Sequence, residues 1–284
     1  MEWELWQRLE ELRARGERAA LATVVQAPPG SPVRAGARML YGGGGVQGSL
    51  GHPDLDRAVV EDAQRLLSLG ASRTYGYRLG PDGKVEAVRE RRALLEAEDA
   101  IRVFIEVVAP PPLLVVFGAG HDAVPLVHVA RLAGFRVVVV DPREAFLTRE
   151  RFPDANRLVR AHPEEVPERL ELPPDACAVV MTHNYLQDQV LLRFLLPRPL
   201  AYLGVLGPWE RTERLLSELA QEGLAEAASP PPHLYAPIGM DIGAEGPEQI
   251  AIAVVAEILA VRHGKSGGSL RLRKGPIHPE WRAV

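Results

Sequence analysis

The spacing of apolar residues changes period along the chain. Leu5, Trp6, Leu9 and Leu12 recur at three- to four-residue intervals, as on one face of a helix. Ala19 to Gln26 then reads as a strand. Pro28-Pro29-Gly30-Ser31-Pro32 reads as a loop, because proline and glycine break both regular structures. Ala37 to Tyr41 and Val46 to Leu50 predict two strands about the turn Gly42 to Gly45. Leu55, Ala58, Val59, Ala63, Leu66 and Leu67 form a helical stripe, with Asp54 placed to cap it and Gly70 to end it. Strands on either side of Pro81-Asp82-Gly83-Lys84 predict a hairpin, and Arg102 to Val108 predicts one more strand. Together these elements predict a small α+β domain over 1–109.

Ala109-Pro110-Pro111-Pro112 follows, a proline run that favours a stiff, extended linker. Beyond it the pattern alternates. Short, wholly apolar runs (Leu113–Phe117, Val137–Val140, Leu158–Val159, Ala178–Thr182 and Leu200–Leu203) are separated by helical stretches. Strands apolar on both faces, alternating with helices, predict a mainly parallel sheet covered on both sides. The fold class is therefore α/β, with a C-terminal Rossmann-like doubly wound sheet over 110–264 and a smaller N-terminal domain. Pro247 opens a final helix running to about Val261. From Lys265 the chain turns Gly-rich and basic, with Arg271, Arg273, Lys274 and Arg282 against Glu280. That composition predicts a flexible tail over 265–284, or an arm laid on a neighbouring protomer. A homodimer is the expected assembly.

Composition narrows the function classes. The 284 residues suffice for two domains, and 46% hydrophobic with 25% charged residues marks a globular, soluble chain. No apolar run reaches the roughly 20 residues needed to span a bilayer. Glu2 and Glu4 do not open a secretion signal, so the cytoplasm is the expected compartment. A net charge of −4 gives no reason to expect nucleic acid. Cys177, the only cysteine, excludes an internal disulfide and a cysteine metal cluster; its setting, Ala176 to Val180, predicts a buried thiol.

The chemistry-bearing residues fall at strand ends. Gly118-Ala119-Gly120-His121-Asp122-Ala123 follows the first apolar run of the second domain. Gly118 allows a tight turn, Gly120 lets a pyrophosphate approach the backbone, and Ala123 permits close helix–strand packing. Asp141 ends the next run, where a carboxylate can accept hydrogen bonds from a ribose diol and so disfavour a 2′-phosphate. Thr182, His183 and Asp188 follow the fourth run, Gly204 and Gly207 the fifth, and Asp241 and Gly243 precede the last helix. These residues, with His121, are the expected ligand-binding set, since ligands of open α/β sheets bind beyond the carboxyl ends of the strands. In the first domain, Ser31 and Arg34 in Gly30 to Gly36 offer a hydroxyl and a guanidinium suited to an anionic group. His52, Asp54 and Asp56 are explained as well by helix capping as by a metal, and no metal site is assigned. The residues themselves leave three readings open: a cofactor-binding accessory protein, an NAD(P)-dependent oxidoreductase, or a non-catalytic binding or scaffold module.

Taken in order, the segments resemble the XdhC/CoxI family, the xanthine dehydrogenase accessory factors. The resemblance runs through Thr23-Val24-Val25, Gly30-Ser31, Arg34 to Ala37 and Gly48-Ser49-Leu50 in the first domain. In the second it runs through Gly118-Ala119-Gly120-His121, Phe135 to Arg143, Arg151-Phe152-Pro153, Thr182-His183, Asp188, Tyr202-Leu203-Gly204, Pro237-Ile238-Gly239, Asp241-Ile242-Gly243 and Ala256-Glu257-Ile258. It implies an accessory role for a molybdenum hydroxylase client of the xanthine or CO dehydrogenase type. It also implies a ligand that is the molybdenum cofactor, molybdopterin, with an NAD(P)-like dinucleotide the other candidate, and a sulfurtransferase as a further partner. The chain departs from the family at Gly51-His52-Pro53-Asp54, where a cysteine-containing loop is expected, and near Ile101-Arg102, which lacks a Cys-Gly-Gly segment.

Overall fold

The computed structural model describes residues 2–80, 84–90, 97 and 99–274. The hairpin turn at 81–83 and the tail residues 275–284, including Glu280 and Arg282, lie outside the described residues. The chain divides after Pro111, inside the proline run, into two compact units.

Among the described residues the first unit is a six-stranded antiparallel sheet with two helices. It comprises α1 (Glu2–Ala14), β1 (Ala19–Gln26), β2 (Arg38–Gly42), β3 (Gly45–Gly48), α2 (Pro53–Leu69), β4 (Arg73–Leu79), β5 (Val85–Val88) and β6 (Ile101–Val108). Strand order is β3-β2-β1-β6-β4-β5. The apolar stripe of α2 covers one face: Leu55, Val59, Ala63 and Leu66 pack against Ala20, Ala22, Val24, Tyr77, Val103 and Ile105. Leu5, Leu9 and Leu12 of α1 pack with Ala19, Leu21 and Leu40. The cap of α2 differs from expectation. His52 is the extended N-cap, and Asp54 lies inside the first turn. The reason is Pro53, whose fixed φ suits the first helical position and whose missing N–H costs nothing there. Gly70 ends the helix in the left-handed region at φ +63°, as read from the sequence.

The second unit holds β7 (Leu113–Phe117), α3 (Ala123–Leu132), β8 (Arg136–Val140), β9 (Arg157–Val159), β10 (Cys177–Val180), α4 (Tyr185–Leu195), β11 (Tyr202–Val205), α5 (Trp209–Gln221), β12 (Leu234–Tyr235) and α6 (Gly246–Arg262). All six strands are parallel, in the order β12-β11-β10-β7-β8-β9. Counted within the unit this is 3-2-1-4-5-6, the doubly wound order that reverses direction between its first and fourth strands. The core strands are apolar on both faces because both are covered: Val115, Phe117 and Val180 pack toward α4 and α5, and Val116, Val139 and Val179 toward α3 and α6. Two strands differ in extent from the apolar runs. β11 begins at Tyr202, and β10 ends at Val180, leaving Thr182 in the loop beyond it. The sixth strand, β12, carries only Leu234 and Tyr235 and was not expected.

Candidate functional site

The turn between β7 and α3 lies beside the reversal point of the sheet and is held rigidly from behind. Gly118 N–H donates to Val140 O at 2.8 Å, and Ala119 N–H donates to Asp141 Oδ2 at 2.7 Å. On the outer side Arg151 donates through Nη1 to Ala119 O (2.8 Å) and Phe146 O (2.7 Å), and through Nη2 to Gly120 O (3.2 Å). Its guanidinium lies over the rings of Phe146 and Phe152. Carbonyls bound in this way are turned from the crevice. The N–H groups of Gly120, His121 and Asp122 donate to no described protein group, so a helix N-terminus with free donors is left for an anion.

The two glycines of the turn have different jobs. Gly118 has φ +113°, and a Cβ there would sit 2.4 Å from Met181 O and 2.9 Å from Thr182 Cα. Only glycine fits between this turn and the loop after β10. Gly120 is not in the left-handed region, and a Cβ there would meet only the His183 ring, at 3.6 Å. Its small size matters on the open side.

His183 caps that open side. It is the sole non-glycine described residue with positive φ, +57°, a conformation that persists only where its surroundings hold it. Its Nε2 lies 3.0 Å from Asp122 Oδ2, so the pair ties the loop after β10 to the glycine turn. His121 is exposed at the same turn, and its ring bonds to no described residue. Thr182 Oγ1 donates to Asp188 Oδ1 at 2.5 Å and accepts from Asn184 N–H at 3.0 Å.

At three of the expected ligand positions the described contacts are internal to the protein. Asp188 is buried beneath the loop; Arg211 Nη1 of α5 stands 2.6 Å from its Oδ2, an ion-pair contact angled poorly for a hydrogen bond. It braces Thr182 and does not reach the crevice. Gly204 lies within β11, where a Cβ would fall 2.3 Å from Ile238 Cδ1, so its glycine serves packing. Asp141 is 2% exposed. Its Oδ1 accepts from Arg143 N–H (2.8 Å) and Nε (2.9 Å), and its Oδ2 from Arg143 Nη2 (2.8 Å) as well as Ala119. Burial pushes this carboxyl up, but the Arg143 side-chain bonds, the two backbone N–H groups and the Arg143 charge outweigh it and hold it below the usual carboxylate range. Its lone pairs serve the turn, not a ribose diol.

Gly207 takes φ +130° beside Arg211. Asp241 and Gly243 stand exposed in the loop leading from β12 to α6. That loop is anchored upstream, where Gly239 N–H donates to Glu257 Oε2 at 2.9 Å and Met240 N–H to Ala253 O at 3.2 Å. Tyr202 Oη also donates to Glu257, and its ring stacks on Tyr235. Arg151, Arg143, Asp122 and Arg211 shape the site, yet periodicity marks none of them.

In the first unit, Ser31 Oγ accepts from Val33 N–H at 3.2 Å, and Arg34 is exposed. The loop 49–52 is braced by Asp56, which accepts from Ser49 Oγ at 2.7 Å and Leu50 N–H at 2.8 Å. Asp54 pairs with Arg57. Among the described residues no three His, Cys, Asp or Glu side chains form a group suited to a metal ion. Cys177 is buried, and burial pushes its thiol up to about 11 against the lowering influence of Arg262. No described helix is long and apolar enough to cross a membrane.

The strand order and the glycine turn define a Rossmann domain. Residues 114–258 match the model of the XdhC Rossmann domain, and residues 12–78 match that of the XdhC and CoxI family. The chain belongs to the XdhC/CoxI family. It is 40% identical over 185 residues to a Bacillus subtilis protein described as a probable xanthine dehydrogenase subunit, a match covering 64% of this chain and 53% of that protein. It is 32% identical over 261 residues to the Escherichia coli protein YqeB, covering 92% and 46% respectively. The chain thus spans about half the length of the curated relatives it matches. A crystal structure of a Bacillus halodurans protein described as a xanthine dehydrogenase is similar over 96% of this chain and 97% of that one, with 27% identity and a TM-score of 0.52.

Proposed function

We propose that the chain is an accessory protein for a molybdenum hydroxylase of the xanthine dehydrogenase type, and that its Rossmann crevice holds a phosphate-bearing cofactor. The observation that carries this reading is the glycine turn. Its outer carbonyls are bound by Arg151 and its inner end by Asp141, while the N–H groups of Gly120, His121 and Asp122 at the start of the helix donate to no described protein group. That donor set fits the phosphate of molybdopterin or the pyrophosphate of a dinucleotide. It offers molybdenum nothing soft, because the one thiol is buried and protonated at neutral pH. When bound, the pterin would supply the metal chemistry; the protein's part is to bind, orient and shield.

In this reading His121 and His183 flank the phosphate, with Thr182 and Gly207 at the crevice wall and Asp241 and Gly243 on its outer loop. Ser31 and Arg34 would serve a second anionic group in the first unit. Sulfur would come from a separate sulfurtransferase, since a thiol held near 11 is a poor sulfur carrier. A homodimer working in the cytoplasm is part of the same proposal. The test is spectroscopy and mass analysis of gently purified protein. A released pterin supports the reading. A nicotinamide dinucleotide that is reduced or oxidised in turnover would replace it with the oxidoreductase alternative; one that is merely bound keeps the accessory reading with the dinucleotide as its ligand. An empty crevice that also refuses added pterin or dinucleotide would refute it.

A further inference from the structure

Asp141 occupies the position where a Rossmann domain selective for an unphosphorylated ribose presents a free carboxylate. Here that carboxylate is enclosed, and what faces outward beside it is a guanidinium. Arg143 spends N–H, Nε and Nη2 on Asp141 and lies over the Phe146 ring at 4.2 Å. Its Nη1 makes no bond to a described residue, and its side chain is 47% exposed.

The surface next to it is a pocket. A cavity of about 370 Å³ opens at the carboxyl ends of β8 and β9, lined by Pro142, Arg160, Ala161, His162, Glu165 and Arg169. Pro142 and Ala161 also line the cleft that runs back to Gly118 and Thr182 at the reversal point, so the two spaces adjoin. The cations around this pocket are held by weak partners. Arg160 Nη1 lies 2.5 Å from Glu144 and Arg169 Nη2 lies 3.8 Å from Glu165, both pairs well exposed. Glu165 is also occupied by His162 N–H, at 2.8 Å. Exposed pairs of this kind contribute little and yield readily to a better anion. A phosphomonoester carries nearly two charges and several strong acceptors, which suits guanidinium forks.

We infer that this pocket is a second anion subsite at the ribose end of the crevice, so that the preferred ligand class is a dinucleotide whose ribose carries a phosphomonoester. Arg160 and Arg169 are its ligands; Arg143 directly follows Pro142 of its wall. The inference rests on the nucleotide reading of the glycine turn and adds the identity of the ribose end to it.

The experiment is calorimetric titration of the full chain with NAD⁺ and NADP⁺, on wild type, Arg160→Gln/Arg169→Gln and Arg160→Lys. Wild type should bind NADP⁺ about tenfold or more tightly than NAD⁺, as expected for one added charge-assisted contact. The double variant should bring the two affinities within about threefold, with NADP⁺ losing more affinity than NAD⁺, and Arg160→Lys should keep part of the preference. If NAD⁺ binds and NADP⁺ binds no more tightly, the inference fails and the nucleotide reading stands. A preference that survives in the double variant also overturns it, because the assigned arginines would then be idle. If neither dinucleotide binds at millimolar concentration, the inference fails, and the phosphate reading of the glycine turn is then decided separately by whether the crevice takes up pterin. Melting temperatures of the variants establish that each is folded.

Discussion

Replacing Gly118 and Gly120 separately by alanine should divide packing from binding within one turn. At Gly118 the added methyl meets two costs. An L-residue held at φ +113° loses roughly 1–3 kcal/mol to backbone strain. The methyl would also lie 2.4 Å from Met181 O, far inside van der Waals contact, so the turn must part from the loop after β10. Overpacking of that order costs about 1–3 kcal/mol more. The sum, about 2–6 kcal/mol, is a large share of the roughly 5–15 kcal/mol that holds a domain together. At Gly120 the methyl makes an ordinary 3.6 Å contact with the His183 ring and meets no backbone strain, so the stability change should stay under about 1 kcal/mol. Binding should respond in the opposite way, because the Gly120 methyl stands where the anion approaches. Hydrogen exchange of β7, β8 and β10 amides measures the first effect, and titration with NADP⁺ or pyrophosphate the second. Equal stability of Gly118→Ala and wild type would refute the packing argument. A Gly120→Ala protein as unstable as Gly118→Ala, or one that binds normally, would refute the division of labour.

Asp141→Asn should destabilise the second unit by about 1–3 kcal/mol at neutral pH, since the Arg143 pair is only partly shielded. The unfolded carboxyl takes up its proton near about pH 3.9, while the native one resists to lower pH. The stabilisation is therefore whole above that value and is lost as pH falls through the lowered native value; denaturant melts of wild type and variant should converge there, and a gap that persists at low pH would contradict the assignment. Arg211→Met leaves Asp188 buried with Thr182 alone and should cost about 2–4 kcal/mol; an unchanged urea midpoint would show the pair to be idle. With its thiol near 11, Cys177 should alkylate slowly at pH 7 and accelerate about tenfold per pH unit above it. A sulfur adduct formed from a donor system and lost in Cys177→Ala, read by intact mass, would overturn that view.

The pattern of apolar runs reveals the Rossmann architecture because parallel strands are buried on both faces and cannot disguise themselves. Leu113–Phe117 coincides with β7, and Val137–Val140 lies within β8. β12 escapes notice because two residues cannot show a period. The displacement of β11 has a similar origin: Leu200 and Ala201 are as apolar as the strand, and only pairing with β10 decides where it starts. At the site, glycine and the strand-end histidine stand out by type. The burial of Asp141 and Asp188 does not, because it depends on Arg143 and Arg211, which look like ordinary surface cations in one dimension. Arg151 is less legible still, reaching the turn from more than thirty residues downstream.

That reach of Arg151 has a kinetic consequence. A turn whose carbonyls are already bound has no rearrangement left to make when an anion arrives, so ordering the loop adds no barrier to association. Ligand capture should then run at the pace of diffusive encounter and change little with temperature beyond solvent viscosity. The lifetime of the complex, not the speed of its formation, would decide how long a bound anion is retained.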